Sequence, residues 1–213
     1  MAVVTRLFNQ HDEALEAVSA LERAGVDPDR ISLVSNNADN WHAGHRHPDA
    51  DRHRGDLNGD GENDIAEGAG KGAATGGVLG AGAGVLAGLG MLAIPGLGPV
   101  VAAGWLASTA VGAAAGAAVG GTAGGLLGAL KEAGHDDDEA QVYAEGVRRG
   151  GTLVSVRTEE SDRVRVETLL NDRRGFDSLS RGADYRQGGW SRFDPEAAPW
   201  TPEQIAAERA RYR

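Results

Sequence analysis

The chain has 213 residues, with 31 acidic side chains against 21 basic ones and a net charge of −10. That balance argues against a phosphate-binding surface, so nucleic acid is not an expected partner. The absence of cysteine excludes a disulfide framework, a thiol nucleophile and a Cys-based zinc site.

Residues 3–8, Val-Val-Thr-Arg-Leu-Phe, are β-branched and aromatic and predict a short strand. Nothing in the first residues has the basic-then-apolar layout of a signal peptide, so a cytoplasmic location is expected. Ala14, Val18, Leu21 and Gly25 then recur at helical spacing, with Gly25 as the stop. Asp27-Pro28 turns the chain into a second strand, Ile31-Ser32-Leu33-Val34, which completes a βαβ unit. The pattern returns near the other end: a strand at 152–157, a helix marked by Val166, Leu169 and Leu170, and a weak strand around Ser178-Leu179. Two such halves predict an α+β fold, a ferredoxin-like βαββαβ sandwich split between residues 1–36 and 139–180.

What interrupts the sandwich is a long insertion. Residues 37–67 form a polar loop rich in histidine and aspartate. From Gly72 to Leu130 no side chain is charged, and glycines recur every fourth residue. The first series is Gly68, Gly72, Gly76, Gly80, Gly84 and Gly88, and the second is Gly104, Gly112, Gly116, Gly120, Gly124 and Gly128, with Ser108 as the small residue in the one gap. Ile94-Pro95-Gly96-Leu97-Gly98-Pro99 separates them and turns the chain. The spacing predicts two antiparallel helices, 72–94 and 100–130, within a glycine-zipper hairpin spanning 68–134. Glycine in a water-exposed helix costs about 1 kcal/mol against alanine, so these stripes call for close backbone packing. A helix over 72–94 is about 35 Å long, enough to cross a ~30 Å hydrocarbon layer. Its modest Leu, Ile and Val content leaves burial against other copies as an equal use for those faces.

After Gly134, the run His135-Asp136-Asp137-Asp138-Glu139 opens an acid-capped helix through Tyr143 and Val147. Arg148-Arg149 and Arg173-Arg174 are expected as solvated helix ends. The tail, 181–213, concentrates Tyr185, Trp190, Phe193, Trp200 and Tyr212, and Thr201-Pro202 starts a short helix. So aromatic a tail is expected to dock, on its own domain or on a neighbouring subunit.

Asp56, Asn58, Asp60, Asp64 and Glu67, with Gly61 at the sixth position, spell the D-x-N-x-D-G-x5-E pattern of a calcium loop. Hard oxygen donors at those positions make calcium the candidate ligand, against the plain reading of an acidic linker. His42, His45, His47 and His53 form a second, looser candidate for a transition metal. No catalytic constellation, cofactor motif or small-molecule substrate site stands out, and the chain reads as a non-enzyme.

Several segments together resemble the bacterial general stress proteins, also described by the heat-induced stress protein domain. They are Val4-Thr5-Arg6-Leu7-Phe8 with the Ala14–Gly25 helix, the glycine-rich hairpin, and the run from Tyr143 through Gly150-Gly151-Thr152 to Val156. Gly189-Trp190, Phe193-Asp194-Pro195 and Thr201 through Tyr212 extend the likeness to the tail. The resemblance covers most of the chain outside 37–66. It implies stress-linked expression, no established enzymatic activity and no catalytic residues. The expected function is a stress-associated structural protein that self-associates through the hairpin, at or in the cytoplasmic membrane with both termini in the cytoplasm. The alternative is a soluble homo-oligomeric scaffold, shell or filament with buried hairpins. A calcium or metal response can overlay either.

Overall fold

The computed structural model describes residues 1–41, 90–94, 96–109 and 125–212. β1 (Ala2–Phe8) leads into α1 (His11–Arg23), whose Ala14, Ala17, Val18 and Leu21 form one buried stripe. Gly25, at φ 85°, ends that helix, and the Val26 amide reaches back 3.0 Å to the Leu21 carbonyl. A 3₁₀ turn, Pro28–Arg30, is capped by Asp27 and feeds β2 (Ile31–Asn36). β3 (Gly90–Ile94) and β4 (Gly98–Ala103) follow, then α2 (Leu126–Glu132), α3 (Asp137–Arg148) and β5 (Thr152–Thr158). α4 (Arg163–Asn171), α5 (Ser178–Gln187) and α6 (Pro202–Ala210) complete the chain.

The fold is mixed α/β, built on a five-stranded sheet of order β1-β5-β2-β4-β3 in which every neighbouring pair is antiparallel. β1 and β2, joined through α1, leave a gap one strand wide, and β5 fills it. Alternation along the strands sorts side chains to two apolar faces. Val4, Phe8, Leu33 and Val154 pack with α1 and α4, while Leu7, Val34, Val100 and Leu153 pack with α2, α3 and Phe193 of the tail. Both faces are therefore covered by helices.

Two expectations are corrected here. Residues 90–94 and 98–103 are not the ends of long helices but the two strands of a hairpin, with Gly96 and Leu97 in its turn. The reason is the open edge of β2. Its backbone groups require a partner, and β-branched Val100 and Val101 supply one. The expected strand at 178–179 is the second correction: α5 begins at Ser178, and strand pairing shrinks to one bridge, Leu7 with Phe176. Residues 90–103 and α2 also belong to the platform core rather than to a separate hairpin, since Leu97, Val100, Leu126 and Leu130 are buried in it. Among the described residues no helix is long and apolar enough to cross a membrane.

Gly104, expected among the helix-packing glycines, instead turns the corner out of β4 at φ 82°. A Cβ there would lie 2.3 Å from the Ile31 carbonyl oxygen. The sign of Gly104→Ala therefore separates the two geometries. Alanine at a mid-helix glycine stabilises by about 1 kcal/mol, whereas here we expect a loss of at least about 2 kcal/mol in urea unfolding.

Candidate functional site

The outer edge of β1 is the first place where polar groups converge. Leu7 exchanges both backbone bonds with Phe176, at 2.9 and 2.8 Å. In an antiparallel ladder the next such rung would join Thr5 to Ser178. The Tyr143 hydroxyl occupies that rung instead. It donates to the Thr5 carbonyl at 2.9 Å and accepts from the Ser178 amide at 3.2 Å. Asp177, capping α5 through the Ser180 amide at 2.7 Å, turns the chain into a helix immediately after the single bridge. Burial pushes the Tyr143 phenol up to about 12, because the phenolate would lose its hydration.

A line of side-chain contacts runs through the same point. Ser155 Oγ lies 2.9 Å from Thr5 Oγ1, and Thr5 Oγ1 lies 2.8 Å from His135 Nε2. His135 Nδ1 lies 3.1 Å from Glu139 Oε2, while Ser178 Oγ donates to Glu139 Oε1 at 3.2 Å. Hydroxyl, imidazole and carboxylate in this order are the parts of a nucleophile, a base and its orienting group. Thr5, however, is only 2% exposed and its hydroxyl is shared with Ser155. Glu139 also completes a capping box with Asp136 at the start of α3. In this arrangement the line pins the N-terminus of α3 to β1. No local motif announces it, because Thr5 and His135 are far apart in sequence and meet only through the sheet.

Beside this edge lies a groove of about 600 Å³. β1 forms its floor, His135 and Glu139 line one side, and Glu160, Arg163 and Glu167 line the other.

The second place of convergence is the tail. Tyr185, Phe193 and Ile205 are buried in the protein's own core, which answers where the aromatic tail docks within one chain. Pro195 lies over the β3–β4 turn so closely that a Cβ on Gly96 would approach its Cα to 2.9 Å, and Pro199 covers Gly98 in the same way. Arg209 donates twice to the Gly150 carbonyl, at 3.2 and 2.7 Å, and pairs with Asp39 just after β2. Arg149, expected as a solvated helix end, has a side chain only 14% exposed. It bridges Glu145 at 2.7 Å and Glu208 at 3.1 Å under the Tyr185 and Trp200 rings. Burial works against its charge, but those two carboxylates hold its pKa above the ordinary arginine value. Arg173 and Arg174 do lie at the surface, paired with Glu16 and Glu13. Arg181 is fully buried, held by Asn9 at 2.7 Å and by the faces of Phe176 and Tyr212.

Of the sequence-predicted site residues, Gly128 lies within α2 and Gly104 at the corner already described. Gly72, Gly76, Gly80, Gly84, Gly88, Gly112, Gly116, Gly120 and Gly124 lie outside the described residues. So do Asp56, Asn58, Asp60, Asp64, Glu67 and the four histidines of 42–53. Among the described residues no group of three or more His, Asp or Glu side chains is arranged to hold a metal ion. No protein-family model, curated protein or solved structure matches the chain.

Two measurements test these contacts. A phenol whose pKa is raised by folding stabilises the protein fully below its unfolded value, near 10, and that contribution is lost as pH rises toward about 12. Tyr143→Phe should therefore lose less stability than the parent between those pH values, by on the order of 2 kcal/mol in urea titrations. Glu208→Ala leaves Arg149 with Glu145 alone and should cost about 1–3 kcal/mol, with faster proteolysis of the tail.

Proposed function

We propose that this chain is a non-enzymatic structural protein that self-associates through its glycine-rich segment at the cytoplasmic membrane, on a ferredoxin-like platform. One observation carries the reading. The charge-free run is tied into the sheet in its middle by β3 and β4 and at its end by α2, so the first glycine series ends on the platform and the second starts and finishes on it. A platform holding such segments at fixed points presents them for packing against one another or against other copies. The helical state of residues 105–109 and of α2, at the two ends of the second series, supports helix as the conformation that uses its glycine spacing. The split βαβ unit and the Leu7–Phe176 bridge support the ferredoxin-like reading, with β3 and β4 as an addition to one edge.

The second reading, a soluble homo-oligomeric scaffold, gains from the same geometry. Leu97 is buried and its carbonyl accepts from the Asn36 side chain at 3.2 Å, so the turn between the series is part of the platform and not the far end of a membrane hairpin. In that case the glycine faces bury one another between copies. Membership among general stress proteins, and a calcium response at Asp56–Glu67, belong to the same proposal and accompany either arrangement.

Expression without detergent, followed by light scattering and flotation on lipid vesicles, separates the two. Flotation with lipid, and aggregation without it, supports the membrane reading; a discrete soluble particle supports the scaffold. Gly80→Leu and Gly116→Leu should each abolish the association, and assembly that survives both would remove the glycine argument.

A further inference from the structure

We propose that the groove along β1 is a binding site for a single extended peptide strand, carried by a partner, which would add to the sheet beyond β1. The argument starts from the ladder. Leu7 turns its amide and carbonyl outward to Phe176, so by the two-residue alternation of a strand Thr5 and Val3 turn theirs outward as well. The Thr5 carbonyl is taken by Tyr143 and by Arg6 Nη1. Both outward backbone groups of Val3 have no partner among the described residues. Those two groups leave the ladder unfinished beside a groove of about 600 Å³, within the range of ordinary ligand sites.

The surface around the groove is unusual for this molecule. Three large apolar side chains stand exposed among the described residues: Met1 at 80%, Leu179 at 81% and Val164 at 71%. Met1 and Leu179 line this groove, and Val164 follows Arg163, which also lines it. An added strand projects alternate side chains to both faces of the sheet and would cover such residues while completing the ladder. The lining carboxylates Glu139, Glu160, Glu167 and Asp177 outnumber the guanidiniums of Arg6 and Arg163, which favours a neutral or basic segment.

The shape selects the occupant. Walls come from the helix layers on both faces of the sheet, His135 and Glu139 on one and Arg163 and Glu167 on the other, so the β1 edge lies recessed between them. Two recessed edges cannot meet, which disfavours a symmetric pair of copies joined through β1. A lone extended segment fits.

The probe is a fluorescein-labelled heptapeptide of alternating valine and lysine, titrated against the full chain and followed by anisotropy. Saturable binding is expected, together with slowed hydrogen exchange at the Val3 amide. Val3→Pro removes only the outward amide, so the β1–β5 ladder keeps its bonds and affinity should fall at least about tenfold. Leu179→Ser, at an exposed position, should weaken binding several-fold, and it carries the test if the proline variant does not fold. Methylating alternate backbone nitrogens of the peptide should abolish binding. Absence of binding up to about 1 mM, or equal binding of the methylated peptide, would overturn the proposal. A Val3 amide already protected without peptide would overturn it too, assigning the slot to the chain's own segment. So would a dimer that Val3→Pro dissociates, which would assign the slot to a second copy.

Discussion

The fold depends on the pairing of β5 between β1 and β2. Those two strands are joined by a helix and run in the same direction, and β5 fills the slot between them, antiparallel to both. Both faces of the core draw on it, because Leu153 packs on one and Val154 and Val156 on the other. The strand that fills the slot comes from residue 152 onward, after the whole glycine-rich insertion. Closing so long a loop costs little more than closing a moderate one, since the entropic term grows only with the logarithm of length. The insertion is thus cheap to carry, provided that its two ends reach the same sheet.

That proviso explains the hairpin at the sheet's other edge. β2 would present its outer backbone groups to solvent, and the middle of the insertion supplies β4 and then β3 to cover them. The tail secures the result. Pro195 and Pro199 close over Gly96 and Gly98, where no side chain fits, and Arg209 links Gly150 to Asp39 at the point where the chain departs into the insertion. Gly96 serves close approach of backbones within one chain, and so does Gly104 against Ile31, which the four-residue spacing places in a helix-packing stripe.

That overlap is why the insertion was only partly legible. The helices α1, α3 and α4 and the strands β1, β2 and β5 follow from periodicity and from caps such as Asp136 with Glu139. The proline-glycine turn at 94–99 was legible as a turn, but the same residues serve a β-hairpin and a break between helices equally well. What decides is the unpaired edge of β2, a tertiary demand invisible in the local pattern. Ser178 misled for a related reason. It stands where a strand should continue, and the Tyr143 hydroxyl from another element takes its rung. The line from Thr5 to His135 and Glu139 could not be read at all, since none of its members belongs to a recognisable motif.

The two edges of the sheet end in opposite ways, and this bears on how the molecule can associate. At the β3 side the edge is built from the charge-free segment itself, so whatever that segment packs against is coupled to the integrity of the sheet. At the β1 side the ladder stops after one bridge, and the helix layers rise on both sides of it. Tyr143 holds this stop in place through a neutral hydroxyl that must both donate and accept, which a phenolate cannot do. A buried phenol is therefore the feature that keeps the chain's own residue 178 out of the ladder and leaves the remaining rungs open. Association through glycine faces and recognition at the β1 edge then draw on separate parts of one rigid platform, and neither requires the other.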